Sequence, residues 1–216
     1  ISYSPTNRPF QMISDKFKLA VLVSGRGSNL QAIIDSIEKN DLQAEIALVV
    51  SNVQKAYALE RAEKHGLKVL FIDPKAYPDR ANYEQALVEQ IQAQSVNLIC
   101  LAGFMRVLGK NFIEAFANRI INIHPSLLPA FPGLHVQKRA IDHGVRFSGA
   151  TVHYVSEEVD GGPIILQAVV PICDGDNEAS LSEKILKQEH IIYPQAIKMI
   201  AENKLTLSGR RVLHGK

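Results

Sequence analysis

The sequence predicts an α/β protein built on a mostly parallel, doubly wound (Rossmann-like) sheet, with an antiparallel hairpin in its C-terminal part. Three observations predict it. Five short apolar runs alternate with amphipathic stretches from Lys18 to His124, the spacing of βαβ units. These runs are apolar almost throughout, as strands covered on both faces must be. Beyond Phe147 two longer runs flank Asp160-Gly161-Gly162, a turn-forming tripeptide that joins antiparallel strands.

The elements follow in order. "KLAVLV" (18–23) is the first strand, and a glycine turn leads into a helix over "SNLQAIIDSIEKN" (28–40). "AEIALVVS" (44–51) is the second strand, followed by a helix in "KAYALERAEKHG" (55–66) that stops at Gly66, a C-cap residue type. "KVLFI" (68–72) is the third strand and "DRANYEQALVEQIQAQ" (79–94) the next helix. "VNLICLAG" (96–103) is the fourth strand, a short helix covers 109–117, and "RIINIH" (119–124) is the fifth strand. A proline-rich loop then leads to a helix in "LHVQKRAIDHG" (134–144). "FSGATVHYVSEEV" (147–159) and "GPIILQAVVPI" (162–172) form the hairpin, and a final helix spans 178–203. Residues 17–216 are expected as one domain. Residues 1–16 are polar, lack an apolar signal core, and are expected to be vector-derived residues ahead of a start at Met12, or a leader remnant.

Composition narrows the function. A chain of 216 residues that is 46% hydrophobic can bury one substantial core. A formal net charge of +2, with Lys and Arg scattered, gives no reason to invoke nucleic acid or a membrane surface, and neither is expected as a partner. No apolar stretch reaches membrane-spanning length. Cys100 and Cys173 lie in apolar runs and read as buried thiols of a reducing compartment, which gives a cytoplasmic location.

"VLVSGRGSNLQAI" sets Gly25 and Gly27 between a strand and a helix. One reading is an anion cradle, because glycine lets a ligand approach the backbone and a helix start offers free N–H groups. Ser28 or Asn29 would cap the helix and donate to the anion. The other reading is a tight connecting turn. A dinucleotide is excluded, since the third fingerprint glycine is replaced by Leu30 and the second strand ends in Ser51-Asn52, without a carboxylate. A nucleoside-triphosphate loop is excluded because no Gly-Lys-Ser/Thr follows. A small phosphomonoester fits.

"RIINIHPSLLPAFPG" breaks an apolar strand with Asn122 and His124, then stiffens the chain with Pro125, Pro129 and Pro132. Alternation puts Asn122 and His124 on one face, at the carboxyl end of a late parallel strand, where open α/β sheets bind ligands. They are either a catalytic pair on a fixed loop or buried polar groups satisfied by loop carbonyls. Asp160 alone reads as a turn residue. The histidines show no metal-ligand spacing, and Ser126 lies outside any Gly-x-Ser-x-Gly elbow.

Together, "SGRGSNLQ", "LAGFMRVL", "INIHPSLLPAFPG", "VDGGPIILQ" and "QEHIIYP" resemble the phosphoribosylglycinamide formyltransferase family, in order from Lys18 to Lys204. "HPSLLP" alone is shared with methionyl-tRNA formyltransferases and formyltetrahydrofolate deformylases; "GSNLQ" is more discriminating. The resemblance implies formyl transfer from 10-formyltetrahydrofolate, a co-substrate, to glycinamide ribonucleotide, with no metal, nicotinamide or flavin. It implies Asn122, His124 and Asp160 as the catalytic trio. Gly27, Ser28, Asn29 and Leu186, Lys187, Gln188, Glu189 would hold the ribonucleotide. Arg80, Met105, Arg106, Val107, Leu108, Asn122, Ser156, Glu157, Glu158, Val159 and Asp160 would hold the folate. Val107 and Phe131 are conservative departures from the family's usual side chains. The partners are small molecules, and the protein is expected to be a monomer or a weak homodimer. A hydrolase using the same trio on water, and a nucleotide-binding module without catalysis, are the competing readings.

Overall fold

The structure, a computed structural model, describes residues 16–215, so the expectation for the N-terminal extension falls almost wholly outside the described residues. Among the described residues nine strands form one sheet: β1 (Phe17–Val23), β2 (Ala44–Ser51), β3 (Val69–Phe71), β4 (Leu98–Leu101), β5 (Ile120–His124), β6 (Phe147–Tyr154), β7 (Ile164–Pro171), β8 (Leu205–Ser208) and β9 (Arg211–His214). Their order across the sheet is β3-β2-β1-β4-β5-β6-β7-β9-β8. The first five are mutually parallel, and β6 runs antiparallel to both β5 and β7. The order turns back between β1 and β4, which makes their carboxyl ends the switch point of the sheet.

Helices α1 (Ser28–Glu38), α2 (Tyr57–Lys64), α3 (Arg80–Gln92), α4 (Lys110–Ala115), α5 (Val136–Asp142) and α6 (Glu178–Ala201) cover the two faces. Strand β1 shows why its sequence is continuously apolar: every residue from Leu19 to Val23 is 0% exposed. Leu19, Val21 and Val23 pack with Leu30 and Ile33 of α1 and Leu181 and Ile185 of α6. Ala20 and Leu22 pack on the other face with Tyr83 and Leu87 of α3 and Phe112 of α4. Truncating such a side chain, as in Leu22→Ala, costs about 2–5 kcal/mol through lost transfer energy plus the cavity left behind.

Helix α6 begins with a reciprocal cap in which Asn177 Oδ1 accepts from the Ala179 and Ser180 amides at 2.9 and 3.0 Å. Farther along, the buried Tyr193 hydroxyl donates to the Leu101 carbonyl at 2.8 Å and fixes the helix against β4. That contact sets α6 beside the switch point.

Two expectations need correction, and one element lies outside them. The last hairpin, β8–β9, was not anticipated: its short strands are polar and largely exposed, so no apolar periodicity marks them. The first arm of the hairpin was expected to run to Val159, but β6 ends at Tyr154. A Cβ on Gly162 would come within 1.8 Å of the Tyr154 carbonyl oxygen, so the chain crosses itself closely there and leaves the ladder. Cys100 is buried as expected, whereas Cys173 is exposed, because it lies beyond the end of β7.

Candidate active site

Strand β5 presents its two polar residues on one face. Ile121 and Ile123 join the core on the α6 side, while Ile120 joins the opposite cluster, the side shared by Asn122 and His124. Because β6 is antiparallel, Asn122 lies directly opposite His153 and His124 opposite Thr151. Residues so paired project from one face within contact distance. Asn122 Nδ2 accordingly lies 3.2 Å from His153 Nε2.

The loop after His124 is held by more than its prolines. Thr151 Oγ1 donates to the Ser126 carbonyl at 2.7 Å and accepts from the Leu128 amide at 3.1 Å. Gln167 of β7 donates to the Leu128 carbonyl at 2.9 Å and to Thr151 Oγ1 at 3.0 Å. This clamp brings the Phe131 carbonyl to 3.0 Å from His124 Nε2.

Asp160 arrives from the connection after β6 in a left-handed conformation, φ 53°, a backbone state that Asp tolerates better than most residues. Its Oδ2 stands 3.4 Å from His124 Nδ1 and accepts the Gly133 amide at 2.8 Å. Its Oδ1 is 3.7 Å from His153 Nε2. Asn122, His124 and Asp160 therefore meet, an arrangement that only the family resemblance implied, and His153 joins them. Sequence reasoning missed His153, since only the β5–β6 register reveals that it faces Asn122. Burial pushes the His153 ring down from its ordinary pKa; the Tyr154 carbonyl and Asp160 oppose that shift, and His124 adds to it. His124 is 5% exposed and His153 2%, so both rings lie at the floor of a site rather than on its rim.

That floor closes a cavity of about 420 Å³. Met105, Arg106, Val107, Leu108, Asn122 and the whole 156–160 segment line it. Met105, Val107, Leu134 and Val159 expose apolar surface around it, a lining suited to a flat, largely apolar ligand with a few polar contacts. Arg106 stacks over the Tyr83 ring at 5.0 Å. Arg80 is not among the lining residues. Its Nε donates to the buried Glu84 carboxylate at 2.7 Å, and the same oxygen accepts the Gly109 amide at 2.8 Å, one residue beyond the lining residue Leu108.

The glycine turn lies beside this cavity. Gly27 is the residue before α1, at φ 72°, and a Cβ there would meet the Ala58 Cβ at 2.6 Å. Neither Ser28 nor Asn29 caps the helix, contrary to expectation; Gly27 occupies the cap position and no side chain takes the first-turn amides. Amides of this kind at the positive end of a helix are groups that attract anions. Arg61 of α2 donates to the Arg26 carbonyl at 3.4 Å and to Gln31 Oε1 at 2.7 Å, which sets a guanidinium beside the turn. Asn29 instead donates to Glu189 Oε2 at 2.7 Å, and its own Oδ1 is buried without a partner among the described residues. Burial pushes the Glu189 carboxyl up, against the hydrogen bond from Asn29. Of the four α6 residues implied by resemblance, Glu189 alone bonds to the turn; Leu186 and Gln188 are half-buried and Lys187 is exposed.

One serine joins the two halves. Ser24 Oγ accepts the Met105 amide at 2.8 Å and donates to Asn52 Oδ1 at 2.6 Å, tying the loops after β1, β2 and β4 together. Among the described residues no group of three or more His, Cys, Asp or Glu is arranged to hold a metal ion, and no helix is long and apolar enough to cross a membrane.

Known proteins resemble this chain over most of its length. A family model described as formyl transferase matches residues 17–197. The chain is 42% identical over 189 residues to the phosphoribosylglycinamide formyltransferase of Escherichia coli, covering 88% of this chain and 89% of that one. It is 48% identical over 201 residues to the trifunctional purine biosynthetic protein adenosine-3 of Drosophila pseudoobscura pseudoobscura, covering 92% of this chain but spanning 15% of that protein's length. The crystal structure of glycinamide ribonucleotide transformylase 1 from Symbiobacterium toebii superposes with a TM-score of 0.93 at 47% identity, covering 98% of this chain and 100% of that one. A formyltetrahydrofolate deformylase from Pseudomonas syringae pv. tomato superposes at 0.87 with 25% identity, covering 94% of this chain and 67% of that one. A model spanning most of the strands and helices, together with these relatives, decides the matter: the chain belongs to the formyl transferase family.

Proposed function

We propose that the protein transfers the formyl group of 10-formyltetrahydrofolate to the primary amine of N1-(5-phosphoribosyl)glycinamide, a step of de novo purine synthesis. The observation that carries this reading is that an anion turn and a cavity floored by His124, Asn122 and Asp160 share one switch point, their loops bonded through Ser24. A phosphorylated amine and a folate have separate places there. Gly27, Ser28 and Asn29 take the ribonucleotide phosphate, with Glu189 oriented toward its hydroxyls. Met105 to Leu108 and Ser156 to Asp160 take the folate, with Arg80 acting through Glu84.

In the transfer, the amine nitrogen attacks the formyl carbon and a tetrahedral centre with an oxyanion forms. The C–N10 bond then breaks, and a proton lost by the amine ends on N10. The second Nδ2 proton of Asn122 and the imidazolium of His124 stabilise the oxyanion, each such donor being worth about 3 kcal/mol in other enzymes. His124 faces a carbonyl at Nε2 and a carboxylate at Nδ1; only the doubly protonated ring donates to both. When the ring turns to the oxyanion, the Phe131 carbonyl keeps a donor, because Ser126 Oγ lies 3.3 Å from it. No nucleophilic side chain and no covalent intermediate are needed.

A monomer or a weak homodimer is compatible with these groups, and the single sheet supports residues 17–216 as one domain. Two free cysteines fit a reducing cytoplasm. Hydrolysis of the same folate on this floor is the second reading, favoured by the deformylase likeness at 25% identity. A spectrophotometric assay for tetrahydrofolate separates the two. Release only when glycinamide ribonucleotide is present supports transfer, and equal release without it supports hydrolysis.

A further inference from the structure

We propose that His153 is a positioning residue for this transfer: its neutral ring holds the Asn122 carboxamide in the one orientation that leaves an amide proton free for the reacting carbonyl. The inference deepens the transferase reading and rests on it for its consequence, though not for its geometry.

The argument starts from two nitrogens 3.2 Å apart, Asn122 Nδ2 and His153 Nε2. An amide nitrogen donates and does not accept, so Nε2 must carry the lone pair. The other ring nitrogen, Nδ1, lies 2.8 Å from the Tyr154 carbonyl oxygen, which only accepts, so Nδ1 must carry the proton. Both contacts are satisfied by one neutral tautomer and by no other protonation state.

Turning the Asn122 amide over would set Oδ1 against the Nε2 lone pair. Relief would need a proton on Nε2 as well as Nδ1, which is a cation in a ring that is 2% exposed. Two charged or titratable groups face it: Asp160 Oδ1 at 3.7 Å favours that cation, whereas His124 opposes it, and desolvation outweighs both. The ring therefore acts as a one-sided latch. One Nδ2 proton points to β6, and the other is left for the cavity that Asn122 lines. His153 itself touches Asn122 and the Tyr154 carbonyl, and acts on substrate through Asn122.

The test has two parts. In wild-type protein labelled with ¹⁵N-histidine, the His153 ring is expected to show a protonated Nδ1 and an unprotonated Nε2 at pH 7.5. A protonated Nε2 overturns the proposal whatever the activity. Steady-state kinetics of His153→Leu, which offers no acceptor, are expected to show kcat lower by about 10- to 100-fold with the KM for both substrates within about threefold. His153→Gln, whose Oε1 can accept the Asn122 proton, is expected to recover part of that loss. A Leu variant with wild-type kcat, or one no different from the Gln variant, overturns the positioning role. If wild-type protein shows no transfer at all, the transferase reading fails, and the ring's tautomer still reports the geometry separately.

Discussion

His124 Nδ1 and Asp160 Oδ2 stand 3.4 Å apart, although one ends a strand and the other sits on the connection between two antiparallel strands. Asp160 is held there by the Gly133 amide, and Gly133 follows directly on the proline-rich loop that also supplies the Phe131 carbonyl to the imidazole. The histidine is thus gripped between a carbonyl acceptor at Nε2 and a carboxylate close to Nδ1, both organised around one loop. On the proposed reading, this arrangement sets an imidazole donor beside a carboxylate, where it can serve a developing oxyanion.

Asp160→Asn tests that grip. The amide keeps the shape but loses the charge that complements the imidazolium. Activity is expected to fall by two or more orders of magnitude in kcat, about the scale seen when the orienting carboxylate of a catalytic histidine is neutralised elsewhere. The thermal midpoint should change little, and KM for either substrate should stay within a few-fold.

Glu189→Gln separates stability from binding. The carboxylate is 7% exposed, has Asn29 as its hydrogen-bond partner, and is pushed up by burial, so keeping it ionised costs folding free energy at neutral pH. A group with a raised folded pKa stabilises only below its unfolded value, near 4.5, and that contribution is lost as pH rises. The Gln variant is therefore expected to melt at the same or a higher temperature at pH 7.5 while its KM for the ribonucleotide increases.

Gly27→Val probes the anion turn. The left-handed φ of 72° disfavours any side chain, and the added Cβ would lie 2.6 Å from the Ala58 Cβ. Both effects displace the start of α1, for a stability loss of more than about 1 kcal/mol. KM for the phosphorylated substrate should rise well before kcat falls. An unchanged KM in a folded variant would reduce the turn to a connector.

Acid should loosen the fold through one buried and one half-buried histidine. The rings of His153 and His190 are both held below their ordinary pKa by desolvation, so the unfolded chain binds more protons than the native one. Stability is then complete above about pH 6.5 and declines as pH falls toward the folded values. Melting scans between pH 7.5 and 5.5 should show that decline, and His153→Gln should flatten it.

Much of this was legible in the sequence because it depends on pattern. The apolar runs of the five parallel strands and the polar interruption at Asn122 and His124 are local signals, and the structure places them as read. What escaped depends on register and helical phase. His153 sits in a strand whose partner cannot be inferred from its own residues. Lys187, two residues from Glu189, is carried to the exposed side of α6 by the helical turn. Arg80 is bonded to Glu84 rather than set on the cavity lining, and the burial of that carboxylate is disclosed only by the packing of α3 against the 109 loop. The β8–β9 hairpin has too little buried apolar surface to announce itself.

The most direct measurement follows a labelled carbon. Protein mixed in a single turnover with 10-[¹³C]formyltetrahydrofolate and glycinamide ribonucleotide should deliver the ¹³C into a new formamide on the ribonucleotide, in step with tetrahydrofolate release, and His124→Ala should abolish that signal. Label recovered instead as free formate, at the same rate with or without the amine, would contradict the account.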